Sequence, residues 1–481
     1  MNFKLAAVAA IFLGGLLGGC GCRPKPALAP PELPPPSLNY KGYNLVFVSF
    51  DALQASHVGC QGYFRDTTPT PTLDAQARAG FHFTQAHAVA SWTVPSSMTW
   101  FTGVYPSEHR VVNKFAVYDK EVQKPTNLKE LAPGLMTLAE VLKSHGYSTG
   151  GFTGNAGVSG IFGYEQGFDT YFAEPGAFGN FDLSVPKALE WLKVHQNEKF
   201  FLFLHGYDAH GQNTPADGYD YRFVDKGYDK KYTGTEIEHE TLREEGIEKG
   251  RITLRDADVK FWRAVYDEKI ARADAKFRDF LTEFAAMGLM EKTLFVITSD
   301  HGTEVYEHNR LDHGFTLYEE TLHVPLIIRA PGAVPARKIP ERVSSIDIMP
   351  TVLELLDAPM PEKARGQLRG RSLVPAMRGE APTGDLFFET DYRLHTFKRG
   401  ILTPAGMKLI VTLETKGREL YDLTADPAET KNLGVERPEV TAELEKKLFE
   451  HFRAIGHDLA EREWKTGFNP VYTFPAKSPK Q

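Results

Sequence analysis

Three short apolar runs, over residues 44–50, 200–205 and 293–299, constrain the fold of this 481-residue chain more than any other feature. Each run lacks the polar alternation of a half-exposed strand, which is typical of strands buried on both faces of a parallel sheet. Residues 266–286 repeat apolar side chains at helical spacing and predict a helix that packs on that sheet. Strands that alternate with helices predict the α/β class, with a doubly wound, mostly parallel sheet flanked by helices.

The sequence as a whole predicts four regions. Residues 1–20 have the composition of a secretory signal peptide, and the proline-rich residues 21–40 predict an extended linker. Residues 41–380 carry the patterns of one large α/β domain. Residues 381–481 predict a small C-terminal α+β subdomain with a helix over 438–455.

The N-terminal segment predicts a lipid anchor. Lys4 precedes an apolar stretch over 5–17 that is too short to span a bilayer as a helix. It ends in Leu-Gly-Gly-Cys20, which resembles the lipobox of bacterial lipoproteins, although an ordinary signal peptide with a chance cysteine is the alternative. We therefore expect lipidation of Cys20 and membrane attachment in the cell envelope, at the periplasmic face of the outer membrane or at the cell surface.

The charge balance argues against a nucleic-acid partner. The chain has 55 basic and 62 acidic residues, a net charge of −7, and no long basic run. Of its three cysteines, Cys20 is the predicted lipid site, and the other two do not predict a disulfide framework.

Polar residues follow each of the three predicted strands. They are Asp51, the pair Asp208 and His210, and the pair Asp300 and His301. Ligands of doubly wound folds bind beyond the carboxyl ends of the strands, so these side chains predict a site. Carboxylate and imidazole together suit zinc, manganese or similar ions. The alternatives are an aspartate that caps the next helix and a turn aspartate beside a surface histidine.

Thr93 precedes Pro95, and proline in a first turn predicts a helix that begins here. Backbone N–H groups at a helix N-terminus favour an oxygen anion. A divalent cation nearby would activate the hydroxyl of Thr93 as a nucleophile. The alternative is that Thr93 only caps the helix.

In its motifs the chain resembles the sulfatase family of the alkaline phosphatase superfamily. The resemblance covers nearly all of residues 43–460, and the motifs that carry it lie at 51–63, 93–109, 167–169, 299–329, 347–351 and 421–433. It implies that residues 41–380 form a catalytic domain.

The resemblance implies roles for individual residues. Asp51, Asp300 and His301 would be metal ligands, and Thr93 occupies the nucleophile position and would join them. Sulfatases use a formylglycine made from Cys or Ser there, which threonine cannot form. Related branches of the superfamily attack phosphorus with a threonine at this position. Where the family has an arginine near the nucleophile, this chain has Ser97, which lacks the positively charged, two-pronged guanidinium group.

Further candidates surround these residues. The resemblance implies that His210 or His313 assists departure of the alcohol. Alternatively, Asp208, His210 and His313 hold a second metal. Asn113 or Asn155 would replace missing cationic groups as a neutral donor to the substrate.

The predicted function is a metal-dependent hydrolase of phosphate or sulfate esters with a threonine nucleophile. The site chemistry favours phosphorus, and the metal would be zinc, manganese, calcium or magnesium. A small-molecule, glycan-linked or lipid-linked ester would be the substrate. The alternatives are a phosphoryl transferase or phosphodiesterase of the same superfamily, and a catalytically decayed lipoprotein that serves in binding.

The polar residues 211–260 read as a surface insertion near the active face. It either contacts the substrate or is a solvated decoration.

Overall fold

A computed structural model of the chain describes residues 38–459 and 470–471, apart from 66, 113–116, 120–123, 127–130, 133, 155–156, 175–178, 212–213, 217, 248–249, 332–335, 382–383 and 393–395. The predicted signal peptide with Cys20, most of the linker, and the candidates Asn113 and Asn155 lie outside the described residues. The domain boundaries stay predictions.

The strands of the described residues are β1 (Asn44–Phe50), β2 (Phe81–His87), β3 (Val117–Asp119), β4 (Lys124–Thr126), β5 (Ser148–Gly154), β6 (Thr170–Glu174), β7 (Phe200–Gly206), β8 (Thr293–Ser299), β9 (Glu304–Val305), β10 (Leu311–Asp312), β11 (His323–Arg329), β12 (Arg337–Ser344), β13 (Leu386–Thr390), β14 (Lys398–Leu402), β15 (Met407–Thr412), β16 (Gly417–Asp422) and β17 (Pro470–Val471). The α-helices are α1 (Pro71–Arg78), α2 (Thr93–Thr102), α3 (Pro106–His109), α4 (Leu138–Ser144), α5 (Phe181–His195), α6 (Glu236–Thr241), α7 (Asp256–Ala286), α8 (Glu319–Leu322), α9 (Ile348–Leu355), α10 (Val374–Arg378) and α11 (Pro438–Ala454).

A mixed, mostly parallel sheet lies at the centre. Within the described residues it has eight strands in the order β12-β2-β11-β8-β1-β7-β5-β6. Only β11 runs against its neighbours, and the other pairs of adjacent strands are parallel. The predicted α/β class with a mostly parallel sheet is confirmed.

The central strand β1 shows why the apolar runs predicted the sheet correctly. All seven of its residues are buried. Phe47 packs on Trp100 of α2, with ring centres 5.1 Å apart, on one face. Phe50 contacts Phe181 of α5 and Phe277 of α7 on the other face, at 5.1 and 5.7 Å. Helices thus cover both faces, and no face of β1 needs polar residues.

Most predicted elements keep their predicted bounds, and one does not. The strands over 44–50 and 293–299 and the final helix α11 are confirmed. The helix predicted over 266–286 begins at Asp256 instead, and the turns before residue 266 already bury Phe261, Trp262 and Val265. That insertion also contains α6 and a π-helix over Leu242–Ile247.

A small antiparallel sheet, β13-β14-β15-β16, lies C-terminal to the main sheet, as predicted. Helix α11 packs on it through Leu444, Leu448 and Phe452. Among the described residues, no helix is both long enough and apolar enough to cross a membrane.

One buried lysine joins the small sheet to the segment that follows β10. Lys408 of β15 is 0% exposed, and its Nζ lies 2.8 Å from Glu319 Oε1 and 2.9 Å from Glu429 Oε1. Removal of one member of such a buried group leaves uncompensated charge in the interior.

We therefore predict that Lys408→Met lowers the free energy of unfolding by about 3–5 kcal/mol. Urea denaturation followed by circular dichroism measures the change. Lys446→Met, at a lysine whose side chain is 76% exposed, is the control and should change stability little. Equal stability of both variants would contradict a role for the buried pair.

Candidate active site at the carboxyl ends of the strands

Two acidic side chains meet at the ends of neighbouring strands. Asp51 follows β1 and Asp300 follows β8, and these strands pair in parallel with Phe50 opposite Ser299. The register therefore brings both carboxylates to one edge of the sheet. Asp51, Asp300 and His301 are each 0% exposed, so the alternative of a turn aspartate beside a surface histidine is wrong.

The imidazole of His301 directs an unprotonated nitrogen at these carboxylates. Its Nδ1 lies 2.7 Å from the carbonyl oxygen of Gly302, which can only accept, so Nδ1 carries the proton. The other nitrogen, Nε2, lies 3.7 Å from Asp51 Oδ1 and 3.4 Å from Asp300 Oδ2. Burial lowers the pKa of His301, although both carboxylates oppose that shift. The lone pair of His301 Nε2 and the carboxylates of Asp51 and Asp300 thus point toward the same place.

This arrangement fits a divalent cation. Within the described residues, neither oxygen of Asp51 accepts a hydrogen bond, nor does Oδ2 of Asp300. Burial raises the pKa of Asp51, and the Asp300 carboxylate raises it further. Buried charges without a partner are costly. Asp51, Asp300 and His301 offer ligand atoms within 4.8 Å of one another, and the Nδ1 contact of His301 is typical of metal-binding histidines.

Thr93 begins α2, as predicted, but it does not cap it. Trp92 occupies the cap position with φ −158° and ψ 160°, and Pro95 fills the first turn. The helix ends at Gly103, which adopts φ +65° and closes the last turn with its N–H. Thr93 Oγ1 lies 3.2 Å from His301 Nε2. The threonine hydroxyl therefore borders the candidate cation position.

Helix α2 is buried, and its first turn is bonded to the backbone of Asp300. All ten of its residues are buried. The hydroxyl of Ser96 donates to the carbonyl oxygen of Asp300 at 2.5 Å. This bond couples the position of Thr93 to that of the carboxylate.

Gly157 leaves room for the side chain of Thr93. A Cβ atom at this glycine would lie 2.7 Å from Thr93 Cγ2 and 2.8 Å from Thr93 Cβ. Such contacts are too close for any carbon pair, so a larger residue must displace the threonine. The neighbouring Val158 carbonyl accepts a 2.6 Å hydrogen bond from Tyr171, which holds this segment in place.

His313 lies beside the ligands and has a carboxylate partner of its own. Its ring centre is 4.3 Å from that of His301. Its Nδ1 lies 2.6 Å from Asp312 Oδ1, and Arg243 Nε lies 3.3 Å from Asp312 Oδ2. Although burial alone would raise the pKa of Asp312, His313 and Arg243 hold it well below its usual range. The carboxylate therefore stays charged beside His313.

His210 borders the same space, but both of its nitrogens are engaged. Nε2 lies 2.9 Å from the hydroxyl of Tyr207, and Nδ1 contacts the carbonyl oxygen of Gly211. Its ring centre is 4.8 Å from that of His313. Burial lowers the pKa of His210 well below its usual value, and His313 lowers it further. His210 is therefore a neutral neighbour of His313.

Asp208 has a contact that the sequence did not predict. It accepts a 2.7 Å hydrogen bond from the N–H of Phe181, the first residue of α5, and Arg272 Nη1 lies 3.4 Å from its other oxygen. Burial raises the pKa of Asp208 to about 6, although these donors oppose the shift. Among the described residues it does not join the group of possible metal ligands. The structure therefore gives Asp208 a role at the start of α5.

A cavity of about 590 Å³ adjoins His210. Lys269 and Arg272 of α7 line it, together with Asp208. Lys269 Nζ donates to the carbonyl oxygen of His210. Burial lowers the pKa of Lys269 to about 8, although Asp208 and Asp51 oppose the shift. A buried lysine thus lines the cavity and contacts the backbone of His210.

His205, at the end of β7, is a positioning residue. Its Nε2 lies 3.3 Å from Asp51 Oδ2, and its Nδ1 lies 2.6 Å from Ser49 Oγ. It is 0% exposed and does not reach the cavity, so it orients Asp51 from behind.

The structure brings together Asp51, Thr93, Asp300, His301 and His313, all of which the sequence predicted. Sequence reasoning missed Asp312, Arg243, Lys269 and Gly157. Asp312 precedes His313 as Asp300 precedes His301, so the repeated acid–histidine pair was an available signal. The other three carry no local signal, because only the folding of distant segments brings them to the site.

The chain belongs to the sulfatase family. The family model described as Sulfatase matches residues 43–358, and the model described as N-sulphoglucosamine sulphohydrolase, C-terminal, matches residues 306–455. The protein is therefore an ester hydrolase of this family, and members of the family generally use a divalent metal ion.

Arylsulfatase K is among the similar curated proteins. Human arylsulfatase K is 23% identical over 92% of this chain and 86% of its own length. The bovine protein is 30% identical, but the match covers 40% of this chain and only 37% of the relative.

Solved structures share the fold. A phosphonate monoester hydrolase of Agrobacterium radiobacter matches with a TM-score of 0.65 and 19% identity, over 86% of this chain and 96% of that one. A protein solved in complex with its substrate D-glucosamine-2-N,6-O-disulfate matches with a TM-score of 0.67 and 20% identity, over 86% and 98%. At these identities the likeness shows the alkaline phosphatase-like fold alone.

We predict that Asp300→Asn weakens divalent-cation binding by more than about 100-fold, the upper range for loss of an outer-shell partner. Asparagine keeps the shape and the hydrogen bonds that Oδ1 accepts, but it removes a ligand charge. Elemental analysis of the purified variant measures the metal content.

Asp312→Asn is the matched control, because this buried carboxylate lies outside the ligand group. It should retain the metal. Equal metal content in the two variants would contradict the assignment of Asp300.

We predict that Gly157→Ala lowers kcat by about 100-fold, since a displacement near 1 Å costs that much. The metal content should stay near the wild-type value, because the added Cβ meets Thr93 and Val94, while the three metal ligands keep their positions. Gly366→Ala, where a Cβ would meet nothing within 4 Å, is the control. A Gly157→Ala enzyme with full activity would show that this contact does not position Thr93.

Proposed function

We propose that this chain is a metal-dependent hydrolase of phosphorus esters that uses Thr93 as its nucleophile. The observation that carries the proposal is the position of Thr93 Oγ1, 3.2 Å from His301 Nε2 and next to the converging carboxylates. A hydroxyl at this point needs no conversion to formylglycine.

Asp51, Asp300 and His301 would hold the divalent cation. When bound, a divalent cation supplies positive charge for an attacking oxygen and for the oxygens of the ester. Zinc and manganese suit two carboxylates and one imidazole better than calcium does.

Thr93 and His313 then have separate roles in the reaction. The hydroxyl of Thr93 would first lose its proton to solvent, as the positive charge of a bound cation favours. The resulting alkoxide attacks phosphorus, the bond from phosphorus to the ester oxygen breaks, and a covalent phosphothreonine forms; the later attack by water returns the alkoxide. His313, whose ring lies 4.3 Å from that of His301 and beside the charged Asp312, gives the leaving alcohol its proton. Water next attacks phosphorus, His313 takes its proton, and the oxygen of Thr93 departs.

The local charges favour esters with a single negative charge. Two carboxylates offset the charge of one dication, and Lys269 adds one positive charge nearby. A phosphodiester or a phosphonate monoester carries one negative charge at neutral pH, whereas a phosphate monoester carries close to two. The first two classes therefore match the site better.

Sulfate esters are the second candidate, because they are also singly charged and because arylsulfatase K is a relative. Ser97 stands against this candidate. It is fully buried at the position where sulfatases carry an arginine, and the described site holds no arginine beside Thr93 in its place.

We also propose that the protein is attached to the cell envelope through a lipid on Cys20. The lipobox-like sequence supports this proposal. Metabolic labelling with a palmitate analogue tests it, and Cys20→Ser should abolish the label.

We predict that Thr93→Ala lowers kcat/KM by about 10³-fold or more on each ester that the wild type cleaves. The measurement uses 4-nitrophenyl esters of sulfate, phosphate, a phosphodiester and a phosphonate, each with several divalent metals. Thr93→Ser keeps the hydroxyl and should retain most activity. Wild-type activity in Thr93→Ala would contradict the assignment of Thr93 as the nucleophile. If the wild type cleaved the sulfate ester fastest, the proposed preference for phosphorus esters would be wrong.

A further inference from the structure

His313 lies at the end of a strained backbone segment. Asp312, the residue before it, has a left-handed φ of 88°. Tyr306, His308 and Asn309 of the same segment have φ values of 73°, 51° and 58°. Residues other than glycine rarely adopt this conformation, and it persists only where the surrounding structure holds it in place. Contacts from other parts of the fold therefore help to fix the position of His313.

Arg243 supplies one such contact. It belongs to the π-helix Leu242–Ile247, which lies within the residues 211–260 that the sequence marked as a surface insertion. The side chain of Arg243 is only 6% exposed, and its Nε lies 3.3 Å from Asp312 Oδ2. The insertion thus reaches the residue before His313 through a buried ion pair.

Two glutamates hold the same guanidinium group from the other side. Nη2 of Arg243 donates to Glu240 Oε2 at 2.6 Å and to Glu244 Oε1 at 3.3 Å. The glutamate side chains are 35% and 56% exposed, whereas that of Asp312 is 12% exposed. Solvent therefore screens the outer contacts more than the inner one. The planar guanidinium group can serve both sides at once, which a single ammonium group cannot do.

Asp312 uses its two oxygens for different partners. Oδ1 accepts a 2.9 Å hydrogen bond from the backbone N–H of His313, and it lies 2.6 Å from His313 Nδ1. Oδ2 faces Arg243. The arginine therefore fixes the plane of the carboxylate, and Oδ1 stays against His313. Without the arginine, the carboxylate could turn about its Cβ–Cγ bond and leave the histidine.

We propose that Arg243 is a positioning residue for departure of the alcohol, because its ion pair with Asp312 holds that carboxylate against His313. Arg243 itself touches neither the substrate nor the metal ligands. The insertion then serves the reaction through this contact, which neither a substrate-binding surface nor a solvated decoration would explain. The inference rests on the role of His313 in the proposed function. It holds whether phosphorus or sulfur is attacked.

The acidity of the leaving alcohol separates this role from a general loss of structure. 4-Nitrophenol is acidic enough to depart as its anion, so its esters need little help from a proton donor. An alkyl alcohol needs a proton to depart, and donation by a positioned side chain contributes about 10²–10⁴-fold to the rate. Poor positioning of His313 therefore slows the alkyl esters most.

The 4-nitrophenyl, phenyl and ethyl esters of phenylphosphonate and of sulfate test the proposal. Chromatography of the released phenylphosphonate or sulfate gives kcat/KM for each ester. For Arg243→Met, the loss of kcat/KM should be about tenfold greater on the ethyl ester than on the 4-nitrophenyl ester, with the phenyl ester between them. The metal content should match that of the wild type, because Arg243 lies outside the ligand group.

Three further variants show whether the effect passes through Asp312. Asp312→Asn should have the same dependence on the leaving group. The double variant should lose little more than either single variant, because both substitutions remove one interaction. Arg243→Lys keeps a positive charge and should lose less on the ethyl ester, and it allows the comparison if Arg243→Met does not fold. Arg251→Met, at an arginine of the same insertion whose side chain is 67% exposed, is the control and should match the wild type.

Equal losses on all three leaving groups would overturn the proposal, and so would additive losses in the double variant or full activity of Arg243→Met on the ethyl ester. If only the sulfate esters were cleaved and the dependence on the leaving group persisted, the preference for phosphorus would be wrong and the role of Arg243 would stand. A wild type that cleaved none of these esters would contradict both proposals.

Discussion

Two carboxylates and an unprotonated imidazole nitrogen that meet in the interior determine most of what surrounds them. The neighbouring carboxylates of Asp51 and Asp300 repel each other, and their burial raises the free-energy cost of keeping both charged. The backbone nonetheless holds them together. Ala52 adopts a left-handed φ of 56°, and its N–H donates to Asp300 Oδ1 at 3.0 Å. Strain and repulsion are thus maintained at one point, which a bound cation would relieve.

The rest of the site is arranged around that point. Helix α2 brings Thr93 to it, and Ser96 ties the helix to the Asp300 carbonyl. His205 supports Asp51 from the side away from the cavity, and His313 approaches from the opposite segment with its own carboxylate. The contacts of Thr93, Ser96 and His205 each join segments far apart in sequence, and the register of β1 with β8 brings Asp51 beside Asp300.

That dependence explains how far the sequence could predict the site. Asp51, Asp300 and His301 follow strands directly, and the apolar pattern located those strands correctly because burial on both faces leaves an unmistakable composition. Lys269 and Arg243 lie in helices whose neighbours are polar. Their positions follow from how α7 and the π-helix pack, which no local pattern records. π-Helical turns often occur at functional sites, and the π-helix that carries Arg243 lies beside the candidate active site.

The same reasoning limits what motif spacing can assign. Asp208 and His210 follow the end of β7, and Asp300 and His301 follow the end of β8, so the sequence offers both pairs as candidate ligands. The structure separates them, because the N–H of Phe181 at the start of α5 takes up the Asp208 carboxylate. A strand-end aspartate can thus bind metal or hold the start of a helix that precedes its strand in the chain, and only the tertiary position of that helix decides which.

Thr93, Gly157 and Ser97 bear on whether the site is intact or decayed. Decay would remove the nucleophile and leave the pocket shaped for the side chain that was lost. Instead, Gly157 leaves the space that the β-branched side chain of Thr93 occupies, with Cγ2 only 2.7 Å from where a Cβ would stand. Ser97 is buried without disturbing α2. The surroundings therefore accommodate the threonine side chain, which supports the proposed change of nucleophile over a decayed site.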